Sequence, residues 1–301
     1  MATYPVVVGV DGSEESLLAA EWAAMEAKRH RLPLRIVSAP AMPPRMQAYQ
    51  VSPGAVADAL RAAATRALRT AVARVEEVAP GLEITTDLLS GPPAVALAGS
   101  GSGAAVLIVG ARGAGGFAAM ILGSVSRYAA SRARCPVIVV RQATMAVHHE
   151  VAVGIRDPQN TSEALTFAFE EAAARHADLV AVHAWHWFPS ALAGQADREG
   201  VTHVPMHPDQ ISAEAARSLS AALDGWQEKY PDVRVRHDVI RGHPARVLAN
   251  YSARADLVVI GRHGGGIGSI QHALLDTPTA RWPSSPLTTS DQRRSPDEDD
   301  R

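Results

Sequence analysis

An internal repeat constrains this chain more than any other feature. VVVGVDGSEESLLAAEWAAMEAKRH, residues 6–30, returns as VAVGIRDPQNTSEALTFAFEEAAARH, residues 151–176. The restatement then continues in order. Leu34–Ser38 followed by Ala39 becomes Leu179–His183 followed by Ala184, and the long helical pattern of Gly54–Val78 returns at Ser212–Lys229. Ile84–Leu88 becomes Val233–Val239, Ser90-Gly91-Pro92-Pro93 becomes Arg241-Gly242-His243-Pro244, and Leu107–Gly113 is echoed by Leu257–Gly264. A chain that repeats a whole series of elements folds as copies of one unit, and 301 residues allow two domains with a core each. The expected division is 1–146, 147–276 and an irregular or disordered tail, 277–301, with Gln142–His149 as the linker.

Within a copy, short apolar runs alternate with helical patterns. Val6–Val10 reads as a buried strand leaving through Asp11-Gly12-Ser13, and Ser13-Glu14-Glu15-Ser16 opens a helix with acids in its first turn. Leu34–Ser38, Ile84–Leu88, Val106–Val109 and Pro136–Val140 supply the other strands, and Pro80-Gly81 stops the long helix. Strands separated by helices predict an α/β fold: two tandem, doubly wound, five-stranded parallel sheets of Rossmann-like form. The second copy is expected to lack its last strand. Nothing after Asp276 matches Pro136–Val140, and Pro278, Pro283 and Pro286 oppose a central strand there.

The chemistry concentrates after the fourth strand. Gly110, Gly113, Gly115 and Gly116 follow it, and Gly123-Ser124-Val125-Ser126 leads into a second helical pattern. Glycines at a strand's carboxyl end let the backbone approach a phosphate, and a helix starting at Gly123 aims its N–H groups at the same anion. Ser124 and Ser126 would add hydroxyl donors in its first turn. A Walker loop is excluded, because the chain's lysines, Lys28 and Lys229, lie elsewhere. A dinucleotide fingerprint would place its glycine turn after the first strand instead. Asp11 suits a ribose, an adenine amine or a magnesium ion, and equally a helix-capping role. Arg112 suits a phosphate or solvent. His183-x2-His186 and His203-x3-His207 approach metal-ligand spacing, but no finger pattern accompanies them.

The spacing Gly110-x2-Gly113-x9-Gly123-Ser124 resembles the ATP-binding motif of the universal stress protein family, and the resemblance extends over both copies. It implies that Gly9, Val10 and Asp11 contact adenine and ribose, and that Ala39 flanks the base. Val109, Gly110, Arg112 and Gly113 would line ribose and phosphates, and Gly123, Ser124, Val125 and Ser126 would form the phosphate turn. A weaker second site would use Asp157, Ala184, Gly261, His263, Gly264, Gly268 and Ser269. There Arg156 reads as an extra residue before Asp157, the loop before Gly268 is shortened, and Gln271 replaces a serine.

The resemblance implies ATP as ligand, with magnesium near Asp11, an unnamed protein partner, pairing into a homodimer, and a nucleotide-dependent regulator of stress response. The competing reading is a slow ATPase or a nucleotidyl-transfer enzyme on the same fold. Neither a His-x-Gly-His signature nor a Ser-Gly-Gly-x-Asp-Ser loop is present, and no base is visibly paired with a nucleophile, so a binding protein is favoured. A net charge of −2 gives no footprint for nucleic acid. The single cysteine, Cys135, fits a reducing compartment and a buried, inert thiol. With no leader pattern and no long apolar run, a cytoplasmic protein without membrane contact is expected.

Overall fold

The computed structural model describes residues 4–40, 53–113, 122–141, 147–157, 161–185 and 208–261. In the first half, β1 (Val6–Gly9), β2 (Leu34–Ser38), β3 (Ile84–Leu88), β4 (Val106–Gly110) and β5 (Val137–Val140) form one sheet in the order β3-β2-β1-β4-β5. Every pairing is parallel. The helices α1 (Glu14–His30), α2 (Pro53–Val78), α3 (Pro93–Ser100) and α4 (Ser124–Arg132) connect them. The β1 run Val6-Val7-Val8 is fully buried because it is covered on both faces. Val6 and Val8 join the alanine stripe of α1 (Ala19, Ala20, Ala23, Ala24, Ala27), whereas Val7 joins Leu97 of α3 and Ala129 of α4 on the opposite face.

The second half repeats the plan. Its strands β6 (Glu150–Gly154), β7 (Asp178–Trp185), β8 (Val235–Arg241) and β9 (Leu257–Ile260) pair in parallel in the order β8-β7-β6-β9. The helices are α5 (Ser162–Arg175), α6 (Pro208–Lys229) and α7 (Pro244–Tyr251). Thus the described residues form two doubly wound parallel-sheet domains, as the alternating pattern predicts. The expected loss of a fifth strand and the expected tail both fall on residues outside the described set.

Register makes the equivalence of the halves exact to the residue. Val6 pairs with Leu34 and with Val106, and Val151 pairs with Leu179 and with Leu257. Both first helices end alike, with Arg31 (φ 56°) and His176 (φ 50°) in the left-handed conformation; Leu32 and Ala177 then donate back to Ala27 and Ala172. They begin differently. Ser13 caps α1 by accepting from the Ser16 N–H, whereas its counterpart in sequence is Pro158 and α5 starts only at Ser162, after Thr161, without a side-chain cap. β7 and β8 run two residues past the expected His183 and Val239, with Trp185 opposite Arg241.

The halves meet along α1 and α5. Phe167 of α5 and Leu257 of β9 pack against the first core as well as the second. At the C-terminal ends of the helices, Glu26 and Glu171 face each other, both buried. Each has a cation one turn along its own helix: His30 Nε2 lies 3.2 Å from Glu26 and an Arg175 nitrogen 2.8 Å from Glu171. Each also has the other helix's cation, Arg175 at 2.8 Å from Glu26 and His30 at 3.2 Å from Glu171. Arg29 binds Glu26 as well, and the Arg175 guanidinium lies 5.2 Å from the Trp22 ring centroid. Strand register makes Glu26 equivalent to Glu171 and His30 to Arg175, so the four form a pseudo-symmetric ring.

This ring sets the protonation of His30. The hydrogen bond to Glu171, then that to Glu26, raises its pKa from 6.5 to about 9 against the opposing effect of burial. Burial pushes Glu171 up as well. In Glu26 the same burial effect is overridden by the His30 hydrogen bond and the Arg175 charge, and the carboxyl stays low. A raised histidine stabilises the fold fully below its unfolded value and loses that contribution as pH climbs through the folded one. The thermal midpoint should therefore fall between pH 6.5 and about 9. A melting series of the His30→Gln variant should show that fall flattened, with Glu26, Arg29, Glu171 and Arg175 unchanged.

Candidate functional site

In the first sheet the connections reverse direction between β1 and β4, and the crevice outside their carboxyl ends is where open α/β sheets place ligands. Several predicted residues converge on that rim. Asp11 leaves β1 in an Asx turn: its Oδ1 accepts from the Ser13 N–H at 3.0 Å and from the Ser13 hydroxyl at 2.6 Å, while its own N–H donates to Ser16 Oγ at 3.2 Å. Half of the carboxylate is thus committed to organising the start of α1. Its other oxygen faces the loop after β4. A Cβ on Gly113 would stand 2.4 Å from Asp11 Oδ2, so a side chain there would have to displace the carboxylate.

Gly110 is required for a different reason. A Cβ there would lie 2.7 Å from the Glu15 carbonyl oxygen, because β4 ends directly against the first turn of α1. Gly9 faces Leu97 of α3, whose methyl groups would stand 2.7 Å from an added Cβ. Gly110 is therefore a packing requirement of the rim, whereas at Gly9 the Leu97 side chain could yield. Val10 and Val109 are buried in the cores beneath it, and Ala39 is half-buried beyond the end of β2. Arg112 points back along the loop and pairs with Glu15 at 3.0 Å.

The N-terminus of α4 is bound to the same loop. Gly123, its N-cap, donates to the Ala111 carbonyl at 2.7 Å and offers no capping side chain. Ser124 is exposed at the first helical position and Val125 is half-buried. Ser126 turns inward: it is buried, and its hydroxyl donates to the Gly110 carbonyl at 2.6 Å. Its proton therefore ties α4 to β4, so that in this arrangement Ser124 rather than Ser126 is the exposed hydroxyl of the turn. The arrangement presents the positive end of a nine-residue helix, a glycine loop and a carboxylate on one rim. Such a set complements a ligand with an anionic end and a hydrogen-bonding end.

The second sheet reverses between β6 and β9. Gly154 repeats the packing of Gly9, against Leu248 of α7 at 2.9 Å. Register assigns Arg156, not Asp157, to the place of Asp11, and Asp157 to that of Gly12; no extra residue is present. Gly261 takes the place of Gly110, and among the described residues its added Cβ would meet Ala164 Cβ at 3.5 Å. Ala184 lies within β7, followed by Trp185. His263, Gly264, Gly268 and Ser269 lie outside the described residues, as do His186, His203 and His207. His183 Nδ1 lies 2.9 Å from the Ile155 carbonyl, so it carries the proton there and leaves Nε2 on the other side of the ring.

The cluster that sequence inspection misses is Glu26, His30 and Glu171, whose ligand atoms lie within 4.8 Å of one another. Arg175 and Arg29 already balance its two carboxylates, so the group is an ion-pair ring rather than a charge-deficient cation site. The available signal was Glu26-x3-His30 within a buried alanine stripe, mirrored by Glu171-x3-Arg175. Cys135 is half-buried, and among the described residues no helix is long and apolar enough to cross a membrane.

The inward turn of Ser126 gives a measurable consequence. Ser126→Ala leaves a buried carbonyl short of its donor and should cost about 1–3 kcal/mol in urea unfolding. Ser124→Ala, at an exposed position, should stay within about 0.5 kcal/mol. Equal effects of the two would contradict the inward orientation.

Comparison with known proteins agrees with this architecture. The model of the universal stress protein family matches residues 4–141 and again 148–277. A universal stress protein of Mycobacterium tuberculosis strain H37Rv is 34% identical over 294 residues, covering 90% of this chain and 93% of its own. Another from the same strain is 31% identical over 278 residues, 87% of each chain. Among solved structures, a universal stress protein from Archaeoglobus fulgidus DSM 4304 superposes with a TM-score of 0.62 over 90% of this chain and 89% of its own, at 17% identity. That likeness concerns the fold. Two matches of the family model, one per sheet, together with relatives that span nearly the whole chain, show that this chain belongs to the universal stress protein family.

Proposed function

We propose that the chain binds ATP in the crevice of its first domain, between β1 and β4, and works as a nucleotide-dependent regulator in a stress response. The observation that carries this is the meeting of Asp11, Gly113 and the α4 N-terminus on one rim. The residues fit the group: an uncapped helix N-terminus and an exposed Ser124 hydroxyl suit phosphate oxygens, and a carboxylate at the β1 exit suits ribose or base. Bound ATP would bring a flat base and a triphosphate whose negative charge the α4 terminus complements.

In this proposal Gly110 and Gly113 keep the loop low, Ser126 holds α4 against β4, and Ala39 leaves room for the base beside β2. Asp11 Oδ2, which faces the loop after β4, is the oxygen assigned to a magnesium ion or ribose in this proposal. The proposed domains are 1–146 and 147–276, with the nucleotide held by the first and a protein partner or a second copy of the chain as the reader of its occupancy. A reducing, cytoplasmic setting suits the lone cysteine.

The test is direct. Nucleotide released from freshly purified, denatured protein should be ATP, at one molecule per chain by mass analysis. Gly123→Val with Ser124→Ala should weaken calorimetric ATP affinity at least tens-fold, because donors to a charged group contribute about 1.5–3 kcal/mol each. Asp11→Asn should weaken binding without removing any substantial turnover. Unchanged affinity in the double variant would refute the site, and a robust ATPase lost on Asp11→Asn would replace the regulator with an enzyme.

A further inference from the structure

The two crevices differ most in charge, and the difference follows one pattern. Register pairs the residues at the exits of the first sheet's β1, β2 and β3 with counterparts at the exits of β6, β7 and β8. Asp11 corresponds to Arg156, Ser38 to His183, Ser90 to Arg241 and Pro92 to His243. Every one of these four changes moves from acidic or neutral to basic or protonatable. Asp157, at the place of Gly12, offsets part of the gain, yet at these positions the charge passes from net negative to net positive. No comparable change occurs beneath it, where Val151, Val153, Val180 and Val182 keep a buried apolar core as in the first half.

These groups stand at or just past the carboxyl ends of adjacent strands of one sheet. The ladder from β6 to β7 continues past Gly154, with the Ile155 N–H donating to Val182 at 2.9 Å, so Arg156 leaves the sheet beside the end of β7. His183 is turned toward that exit by its contact with the Ile155 carbonyl. Trp185 and Arg241 are register partners, and the guanidinium lies 6.0 Å from the indole centroid, spread over the ring. His243 follows as N-cap of α7, without a side-chain cap bond of its own. Adjacent strands lie about 4.8 Å apart, so the three strand exits span about the length of a short phosphate chain.

We propose that this rim of the second domain is a binding site for a small phosphate-rich anion, recognised through its phosphoryl oxygens rather than through an adenine base. Arg156 and Arg241 supply the fixed charges, and His183 contributes its Nε2, as a donor when protonated. The residue that would hold ribose or base in the first crevice, Asp11, is replaced by a cation that repels no phosphate and offers no acceptor. The proposal goes beyond the ATP site of the first domain and does not require it.

Calorimetry on the full chain with inorganic triphosphate, ATP and adenosine tests this, using two multiple variants. The first carries Gly123→Val and Ser124→Ala. The second gives the second rim the residues of the first: Arg156→Asp, His183→Ser and Arg241→Ser. Triphosphate should keep its second-domain binding in the first variant, weaken as salt is raised, and lose at least tenfold in that affinity in the second. Adenosine should show no binding that depends on the second rim. Intrinsic fluorescence gives an independent readout, since triphosphate should alter emission in the unaltered chain and much less in Trp185→Phe. If the triple exchange fails to fold by circular dichroism, Arg156→Gln and Arg241→Gln singly should each weaken triphosphate severalfold. Triphosphate binding that vanishes in the first variant and survives in the second would belong to the first crevice and overturn the proposal; so would no triphosphate binding at all. Failure of ATP to bind the first domain would leave these readouts intact, which separates the two claims.

Discussion

The close seating of α1 on the sheet is the constraint on which the rest of the molecule depends. Its buried face is mostly alanine, and β4 ends in a glycine whose missing side chain admits the Glu15 backbone. A helix brought this near carries its N-terminus to the carboxyl ends of β1 and β4, where Ser13 and Asp11 organise the turn. The same seating leaves the helix's other flank available to α5, and with it the contact between halves. Enlarging Gly110 would push on backbone rather than on a yielding side chain, so the disturbance would reach both the rim and the interdomain face.

The halves show how one scaffold supports different rims. Apolar strand cores and the left-handed helix ends at Arg31 and His176 are held in common. What varies lies beyond the ends of the strands, where a substitution changes charge without touching packing. Arg156 and Asp11 both sit past the last ladder bond of their strand, so exchanging one for the other leaves the β6 pairing intact.

Much of this was legible in the sequence, because continuous apolar runs and alanine-rich helical patterns respond to burial, which is local in sequence. β2 and β3 occupy the residues that their patterns predict. The glycines around Gly110 mark a close approach, yet sequence does not tell whether backbone or ligand fills the space; at Gly110 and Gly9 protein atoms lie there. Ser126 reads as a donor toward solvent until loop closure brings the Gly110 carbonyl within reach. The match of Asp157 to Asp11 rested on residue type, whereas strand register aligns Arg156. The ring of Glu26, His30, Glu171 and Arg175 was illegible for a stronger reason: its partners are separated by a whole domain, and only the packing of α1 on α5 joins them.

That ring has an unusual property for buried charge. Separating a buried ion pair ordinarily strands an uncompensated charge, which makes such contacts hard to open. Here each carboxylate has a cation one turn away on its own helix, Glu26 with His30 and Arg29, Glu171 with Arg175. If α1 and α5 drew apart, only the crossed bonds would break, and each half would depart with its own neutralising partner. The ion pairs of the joint would thus leave no naked ion on either surface if it opened, and the apolar contacts of Phe167 and Leu257 are what hold it shut.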